Sequence, residues 1–204
     1  MSPLPRAFYR RPAPVVAPDL LGRLLVRTLP DGERLAARIV ECEAYQEDDP
    51  ASHSYRGLTP RTEVMFGPPG HLYVYLSYGA HWCMNVVTGR DGEGSAVLLR
   101  AAEPLDGIER MRANRGLHDE RLLCAGPGRL TQALGITRDH NGIDLVKGGE
   151  LVIAPGRPLP DQRVRVATRV GLTVAREQPW RFIEAGSPYV SRGRTGGIPW
   201  LREG

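Results

Sequence analysis

In the middle of the chain, the alternation of apolar and polar positions predicts a β-hairpin with an aromatic tip. Residues Leu72 to Tyr78 are rich in aromatic and β-branched side chains, which favour a pleated, half-buried strand. Since side chains alternate along a strand, we expect Tyr75 on one face and Tyr78 on the other. Gly79 favours a turn, because glycine adopts positive φ without strain, and His81 to Val87 predicts the returning strand.

The remaining apolar runs predict a mixed fold in which strands outnumber helices. Further strands are predicted at residues 22–29, 35–45, 96–102, 151–154, 164–172 and 180–183, and helices at 19–24, 104–115 and 130–134. The polar segment 46–62 predicts a long loop, a kind of segment that is often functional in compact domains. Residues 1–15, rich in proline and arginine, predict an extended arm, and residues 192–204 a basic tail. No repeat or domain-scale linker interrupts the chain, so we expect one domain spanning 1–204.

Strand 35–45 carries candidate chemistry at one end. Strict alternation places a run of odd-numbered positions on one face, namely Leu35, Ala37, Ile39, Glu41, Glu43 and Tyr45. A face that begins apolar and ends in two carboxylates and a phenol leaves the core and enters a site, although glutamates usually mark a solvated strand end. Arg100 interrupts another apolar strand, and an unpaired buried charge is too costly, so Glu43 is a candidate partner for it.

Charge and cysteine content narrow the class of protein. The net charge of +4 is compatible with a polyanionic partner but does not require one. No apolar run approaches the roughly 20 residues of a membrane span, and no signal peptide is seen, so a cytoplasmic protein without membrane association is expected. Cys42, Cys83 and Cys124 are far apart and lack metal-site spacing, which predicts reduced thiols and no metal.

The hairpin tyrosines suggest contact with a nucleic-acid base. A protruding aromatic such as Tyr78, close to a stacking aromatic such as Tyr75, is what a protein needs to push a base out of a duplex and hold it. The alternative is that this sheet face is simply buried in the core, which is the usual position of tyrosines at strand spacing.

Several segments together resemble one family by their order and spacing, over residues 16–192. The matching text is Arg38-Ile-Val-Glu-Cys-Glu-Ala-Tyr45, Asp49-Pro-Ala-Ser-His53, Thr59-Pro-Arg61, Met65-Phe-Gly-Pro-Pro-Gly70, Tyr73-Val-Tyr-Leu-Ser-Tyr-Gly79, Cys83-Met-Asn85, Val97-Leu-Leu-Arg100, Glu103-Pro104, Gly126-Pro-Gly128, Pro179-Trp-Arg-Phe182 and Ser187-Pro-Tyr-Val-Ser-Arg192. This pattern resembles the mammalian-type 3-methyladenine (alkyladenine) DNA glycosylases, which also occur in bacteria. The resemblance implies an α/β (α+β) fold, with a curved, mostly antiparallel sheet, surrounding helices and a hairpin that inserts into the DNA minor groove.

The resemblance also implies catalytic roles. Glu43 matches the general base, Arg100 the arginine that helps hold the attacking water, and Tyr78 the residue that fills the space vacated by the displaced base. These roles fit the chemistry, because breaking an N-glycosidic bond builds positive charge on the sugar. A carboxylate near that centre stabilises the charge and can deprotonate the incoming water.

Further positions are assigned to substrate binding by the same resemblance. The implied substrate-binding residues are Tyr45, His53, Met65, Tyr75, Asn85 and Leu98, with the base held between aromatic and imidazole walls and the asparagine excluding the guanine amine. An electron-rich aromatic slot should also favour methylated, cationic purines. Contacts to phosphates are expected from Arg61, Arg129 and Arg192. Two departures from the family pattern are Cys42, where threonine is expected, and Ala80, where methionine is common.

The expected activity is hydrolysis without strand cleavage. Bifunctional glycosylases need a reactive amine, and Lys147, the only lysine, lies in a glycine-rich stretch away from every motif. We therefore expect a monofunctional, monomeric base-excision-repair enzyme without cofactor or metal. Its partner would be double-stranded DNA with alkylated or deaminated purines, and it would be nucleoid-associated when bound. The alternatives are a non-catalytic DNA-kinking or lesion-binding protein, which would not need Glu43 and Arg100, and a hydrolase of free nucleosides, which would not need Tyr78.

Overall fold

A branched antiparallel sheet forms the centre of the chain in the computed structural model, which describes residues 1–191 and the backbone of Ile198–Pro199. The strands are β1 (Leu24–Thr28), β2 (Arg34–Tyr45), β3 (Leu72–Ser77), β4 (His81–Val87), β5 (Ala96–Asp106), β6 (Leu151–Ala154), β7 (Val164–Ala167), β8 (Arg181–Glu184) and β9 (Ile198–Pro199). The helices are α1 (Arg6–Tyr9), α2 (Ala13–Leu20), α3 (Ile108–Arg115), α4 (Glu120–Leu123) and α5 (Pro127–Leu134), with short 3₁₀ helices at His53–Arg56, Glu63–Phe66, Arg138–His140 and Asp161–Arg163.

The strand order is β3-β4-β5-β2-β8-β7-β9, with β1 paired to β2 and β6 paired to β1. All of these pairs are antiparallel. Strand β2 pairs with β5 along one edge. Along its other edge, the first half of β2 pairs with β1 and the second half pairs with β8, so the sheet branches there. The predicted α/β (α+β) class with an antiparallel sheet and a projecting hairpin is confirmed.

Strand β2 does not keep one face toward the core, because a β-bulge interrupts it. Ile39 and Glu41 pair with the consecutive residues Ala102 and Ala101, which leaves Val40 without a partner on β5. One extra residue reverses the alternation of side chains between the two faces of a strand. The prediction that all odd-numbered positions of this strand share one face is therefore wrong.

The bulge is what brings two carboxylates onto the face that carries the site. The core side of β2 consists of Leu35, Ala37 and Ile39 before the bulge and of Cys42 and Ala44 after it. Glu41 and Glu43 therefore point to the opposite face of the sheet. Cys42 points away from Glu43, as predicted.

A second irregularity lies opposite the first, at Arg100. Glu41 pairs with Ala101 and Cys42 pairs with Leu99, so Arg100 has no register partner on β2. Bulges often re-aim a side chain next to an active site. Here the paired irregularities turn the guanidinium toward the carboxylate face of β2.

Two apolar clusters divide the sheet between a core face and a site face. The main core lies between the sheet and the helices, where α2 packs on β2 and α5 packs on β4 and β5. Leu72 and Val74 of β3 belong to this core. Tyr73 belongs to a smaller cluster with Met65 on the other face, and Tyr75 packs against it. The predicted alternation is confirmed for residues 72–75, whereas Leu76 and Tyr78, predicted on the opposite face from Tyr75, line the same cavity as Tyr75.

The N-terminal segment differs from its prediction. Residues 1–15 do not form an extended arm, because α1 and the first three residues of α2 lie within them. Proline is tolerated in the first turn of a helix, since the N–H it lacks has no intrahelical acceptor there, and α2 begins this way after Pro12. Tyr9 and Val16 are fully buried, so burial in the core holds both helices in place.

Other predicted element boundaries also differ from those in the structure. The helix predicted at 19–24 is wrong, because α2 ends at Leu20. The helix predicted at 104–115 begins only at Ile108, since β5 continues to Asp106. The strand predicted at 164–172 ends at Ala167. Within the described residues, no helix combines the length and apolar character needed to cross a membrane.

Candidate active site

A cavity of about 490 Å³ lies on the sheet face that carries the tyrosines of β3. The predicted site residues that line it are Tyr45, His53, Arg61, Met65, Tyr75, Tyr78, Asn85, Leu98 and Arg100. Strands β2 to β5 and the turn between β3 and β4 supply six of these residues. The segment 46–66, which contains two 3₁₀ helices, supplies the other three. The fold therefore brings together residues that are widely separated in the sequence.

Glu43 lies directly behind the wall of this cavity and is fully buried. Its Oε2 accepts hydrogen bonds from Arg100 Nη1 at 3.1 Å and from the Tyr45 hydroxyl at 2.9 Å. Its Oε1 accepts the Val170 N–H at 2.8 Å. The predicted pairing of Glu43 with Arg100 is confirmed. A carboxylate has roughly four acceptor positions, so the donors in the described part of the chain leave one for another donor.

Glu41 is a second buried carboxylate with more donors around it. Its Oε1 accepts from Arg100 Nε, Arg181 Nε and Ser191 Oγ, each at 2.8 Å, and its Oε2 accepts from Ser191 N at 2.7 Å. Burial opposes ionisation, but Arg100 and Arg181 together hold the pKa of Glu41 below its usual value. With its acceptor positions occupied, Glu41 is suited to anchoring Arg100 and not to activating a water.

Arg100 is held from three sides as a result. Its Nε and Nη1 donate to the two glutamates, and its Nη2 donates to Ser191 Oγ at 3.3 Å. Burial alone would lower the pKa of Arg100, but Glu43 and Glu41 raise it above its usual value. The guanidinium is therefore a fixed cation in the cavity wall.

Aromatic rings form one side of the cavity. The Tyr75 and Tyr73 rings are stacked with centroids 5.6 Å apart, and His53 contacts Tyr75 edge-on at 4.5 Å. His53 Nδ1 lies 3.1 Å from the Tyr73 hydroxyl, which fixes the ring orientation. Burial, with the nearby Arg61 charge, lowers the pKa of His53 to about 4, so this imidazole is neutral near pH 7.

Tyr78 stands at the tip of the β3–β4 hairpin. Pairing continues up to Ser77 and His81, so the turn consists of Tyr78, Gly79 and Ala80. The Tyr78 side chain is 93% exposed, and its backbone is left-handed with φ of 50°. A non-glycine residue in this region costs roughly 1–2 kcal/mol. An aromatic side chain is thus presented to solvent at the cavity rim, on strained backbone.

The remaining predicted pocket residues are buried in the cavity wall. Asn85 on β4 pairs in register with Leu98 on β5, and its Nδ2 donates to the Tyr73 carbonyl at 3.2 Å. Met65, in a 3₁₀ helix, packs with Tyr73. All of these side chains are more than nine-tenths buried, so the wall is well ordered by packing.

The three arginines predicted to contact phosphates have different positions. Arg61 is exposed, and its guanidinium lies 5.8 Å from the Tyr75 ring centroid. Arg129 lies in the first turn of α5, is half-buried and does not line the cavity. Arg192 lies outside the described residues. Their contacts with DNA stay a prediction.

An ion pair that the sequence did not reveal lies beside the cavity. Arg169 donates from both Nη atoms to the Asp49 carboxylate, and its guanidinium lies 4.6 Å from the Tyr45 ring centroid. Asp49 begins the motif that ends in the predicted site residue His53, and this position was the one sequence signal that pointed to Asp49. Arg169 follows β7 and is 120 residues from Asp49 along the chain, so no local pattern indicates it.

Among the described residues, neither a cluster of metal ligands nor a lysine amine lies at the cavity. No group of three or more His, Cys, Asp or Glu side chains in the described residues is placed to hold a metal ion. Cys42, Cys83 and Cys124 are buried free thiols. The Lys147 side chain is 80% exposed, lies 3.8 Å from Asp144, and does not line the cavity.

Comparison with known proteins gives one consistent family. The model of the methylpurine-DNA glycosylase family matches residues 7–188. A protein of Methanoculleus marisnigri is 54% identical over 93% of this chain and 98% of its own length, and one of Carboxydothermus hydrogenoformans is 49% identical over 93% and 98%. One of Nitrobacter winogradskyi is 51% identical over 94% of this chain and 88% of its own. All three are provisionally named 3-methyladenine DNA glycosylases. The chain therefore belongs to the methylpurine-DNA glycosylase family and is a DNA glycosylase.

Proposed function

We propose that this protein flips an alkylated or deaminated purine out of duplex DNA into the cavity and hydrolyses its N-glycosidic bond, leaving an abasic site. One observation supports this more than any other. A fully buried carboxylate, Glu43, is held by Arg100 directly behind an aromatic cavity that has an exposed tyrosine at its rim.

In this proposal Glu43 is the general base. As the purine departs, positive charge develops on the sugar, and an ionised carboxylate nearby stabilises it electrostatically. The same carboxylate can take a proton from the attacking water. Arg100 and Tyr45, which both donate to Glu43 Oε2, fix its orientation and leave Oε1 as the oxygen with room for the water.

Tyr45, Tyr75 and His53 are proposed to hold the flipped base. Flipping costs a few kcal/mol, least for a damaged base, and stacking offsets this cost. The neutral state of His53 matters here, because an imidazolium would repel a methylated, cationic purine, while the tyrosine rings attract it. Asn85, Met65 and Leu98 shape the rest of the pocket, and the asparagine is proposed to exclude the guanine amine.

Tyr78 is proposed to fill the space that the flipped base leaves in the duplex. Its exposure and its position at the hairpin tip allow insertion through the minor groove. Arg61, Arg129 and Arg192 are proposed to contact phosphates. Such contacts position the duplex without reading its sequence, and they weaken as salt rises.

The proposed substrate includes 3-methyladenine, which the names of the relatives also specify. Hypoxanthine, 7-methylguanine and ethenoadenine are the other candidate bases. The reaction is proposed to be monofunctional, because Lys147 lies away from the cavity and a Schiff base needs an amine at the sugar. We further propose that residues 1–204 act as one monomeric domain in the cytoplasm, associated with the nucleoid when bound to DNA.

The test is base release from duplex DNA without added metal, followed by analysis of the strand. Release of hypoxanthine from a defined duplex, or of methylated purines from methylated DNA, would support the proposal if the strand breaks only after alkali treatment. Strand cleavage by the enzyme itself would contradict the monofunctional reaction. Binding without release of either base would favour a lesion-binding protein instead.

A further inference from the structure

Arg169 contacts several segments of the cavity wall at once. It is 5% exposed, and both Nη atoms donate to the Asp49 carboxylate, with Nη2 and Oδ1 3.0 Å apart. Its Nη1 also donates to the carbonyl of Ala44 at 3.1 Å, between Glu43 and Tyr45 on β2. The guanidinium lies against the Tyr45 ring, so Arg169 supports this ring from outside the cavity.

Asp49 holds the opposite part of the wall. Its Oδ1 accepts the Ala51 N–H at 3.0 Å, and its carbonyl accepts the Ser52 N–H at 2.8 Å. Ala51, Ser52 and the following His53 all line the cavity. The Asp49 carboxylate therefore fixes the turn that delivers the imidazole wall.

The residue after Arg169 completes the connection. The Val170 N–H donates to Glu43 Oε1 at 2.8 Å, and Val170, Gly171 and Leu172 line the cavity. The single ion pair between Arg169 and Asp49 thus links the Tyr45 wall, the His53 turn and the segment that contacts Glu43.

Arginine is suited to this position and lysine is not. A planar guanidinium donates two parallel hydrogen bonds to one carboxylate and can lie on an aromatic ring at the same time. A lysine keeps the charge, but it can neither form this pair of bonds nor stack in the same way. Loss of these two parallel hydrogen bonds should therefore loosen the connection between the Tyr45 wall and the His53 turn.

We propose that Arg169 and Asp49 are positioning residues that fix the separation between the Tyr45 wall and the His53 turn, and so determine which sizes of purine the cavity accepts. This inference rests on the proposed base-flipping function. Neither residue touches the base in this arrangement; both act through the residues that do. A loosened slot should grip a compact base less well while admitting a larger one more easily.

The test compares two bases of different size in wild type and Arg169→Lys. Single-turnover release is measured from duplexes with one hypoxanthine or one ethenoadenine, which carries an additional ring. We expect the ratio of the hypoxanthine rate to the ethenoadenine rate to fall by about tenfold, the scale on which pocket shape discriminates substrates. The matched control is Arg38→Lys. Arg38 lies on β2 and, like Arg169, is paired with carboxylates, here Glu103 and Glu184, but it does not line the cavity.

A second variant covers the case in which Arg169→Lys does not fold. Asp49→Asn keeps the shape of the side chain and an acceptor for the Ala51 N–H, but it removes the charge partner of Arg169. It should lower the ratio in the same direction. An unchanged ratio, or equal losses on both bases, would overturn the proposal. Wild-type protein that releases neither base would instead contradict the proposed function itself.

Discussion

Glu41 and Glu43 share the guanidinium of Arg100, yet among the described contacts only Glu43 also bonds to a tyrosine of the cavity wall. Arg100 Nε donates to Glu41 and Nη1 donates to Glu43, while the Tyr45 hydroxyl donates to Glu43 alone. The two carboxylates lie on one face of β2 because the bulge at Val40 precedes both. This arrangement suggests a division of roles, in which Glu41 fixes the arginine and Glu43 acts on the substrate.

Replacement of Glu41 should destabilise the protein. Glu41→Gln leaves Arg100 and Arg181 with less compensation for their buried charges, and breaking such a buried pair costs about 3–5 kcal/mol. Urea unfolding measures the loss. Glu103→Gln is the control, because the Arg38–Glu103 pair is partly exposed and should cost no more than about 1 kcal/mol. Equal losses in the two variants would contradict the anchoring role of Glu41.

Acid should destabilise the wild type in part through Glu41. Folding lowers the pKa of this group, so its contribution to stability is present above the unfolded pKa, roughly 4.3, and is lost as pH falls through the lower folded pKa. Stability measured against pH should therefore fall less steeply in Glu41→Gln over the acid range. Parallel curves for the two proteins would show that Glu41 does not titrate in this way.

His53 should stay neutral well into the acid range. Its pKa is lowered to about 4, first by burial and then by Arg61, so an NMR titration of the imidazole should have its midpoint near that value. Between the ordinary value of roughly 6.5 and the folded value, the unfolded chain binds the proton, so stability falls as pH falls. Arg61→Gln should move the midpoint upward. A wild-type midpoint near 6.5 would contradict the burial of this ring.

Tyr78 should matter for activity and not for stability. Its side chain is exposed, so Tyr78→Ala removes little packing, and a change of stability within about 0.5 kcal/mol is expected. Release of hypoxanthine should slow by about tenfold or more, because no side chain then fills the vacated space and opposes return of the base. Tyr55→Ala is a matched control, since Tyr55 is also exposed but does not line the cavity. Similar rates in both alanine variants would contradict the proposed insertion of Tyr78 into the duplex.

Phosphate contacts can be tested through salt dependence. Arg61→Gln and Arg129→Gln should each reduce the slope of log affinity against log salt by about one. Arg90→Gln should leave the slope unchanged, because Arg90 lies in the β4–β5 loop, at the end of β4 opposite the Tyr78 turn. A slope unchanged in all three would place the DNA on another surface.

The hairpin and most of the pocket were predictable because their signals are local. Tyr73 and Tyr75 of β3 lie on one face, as a period of two residues predicts, and no bulge interrupts that strand. The bulge at Val40 was not predictable, since Val40 is as apolar as the preceding Ile39 and alternation alone does not reveal which residue is the extra one. The helices within residues 1–15 were hidden by prolines, although Pro12 and Pro14 lie where helices tolerate them. The Arg169–Asp49 pair joins distant segments, and only the folded chain brings it together.

The most direct test of the proposed mechanism is single-turnover release of hypoxanthine from duplex DNA by wild type, Glu43→Gln and Glu41→Gln. We expect Glu43→Gln to retain DNA binding and to lose release by about 10²–10⁴-fold, the usual contribution of a general base, with Glu41→Gln affected less. Undiminished release by Glu43→Gln would show that Glu43 is not the base, and a larger loss in Glu41→Gln would place the base at Glu41.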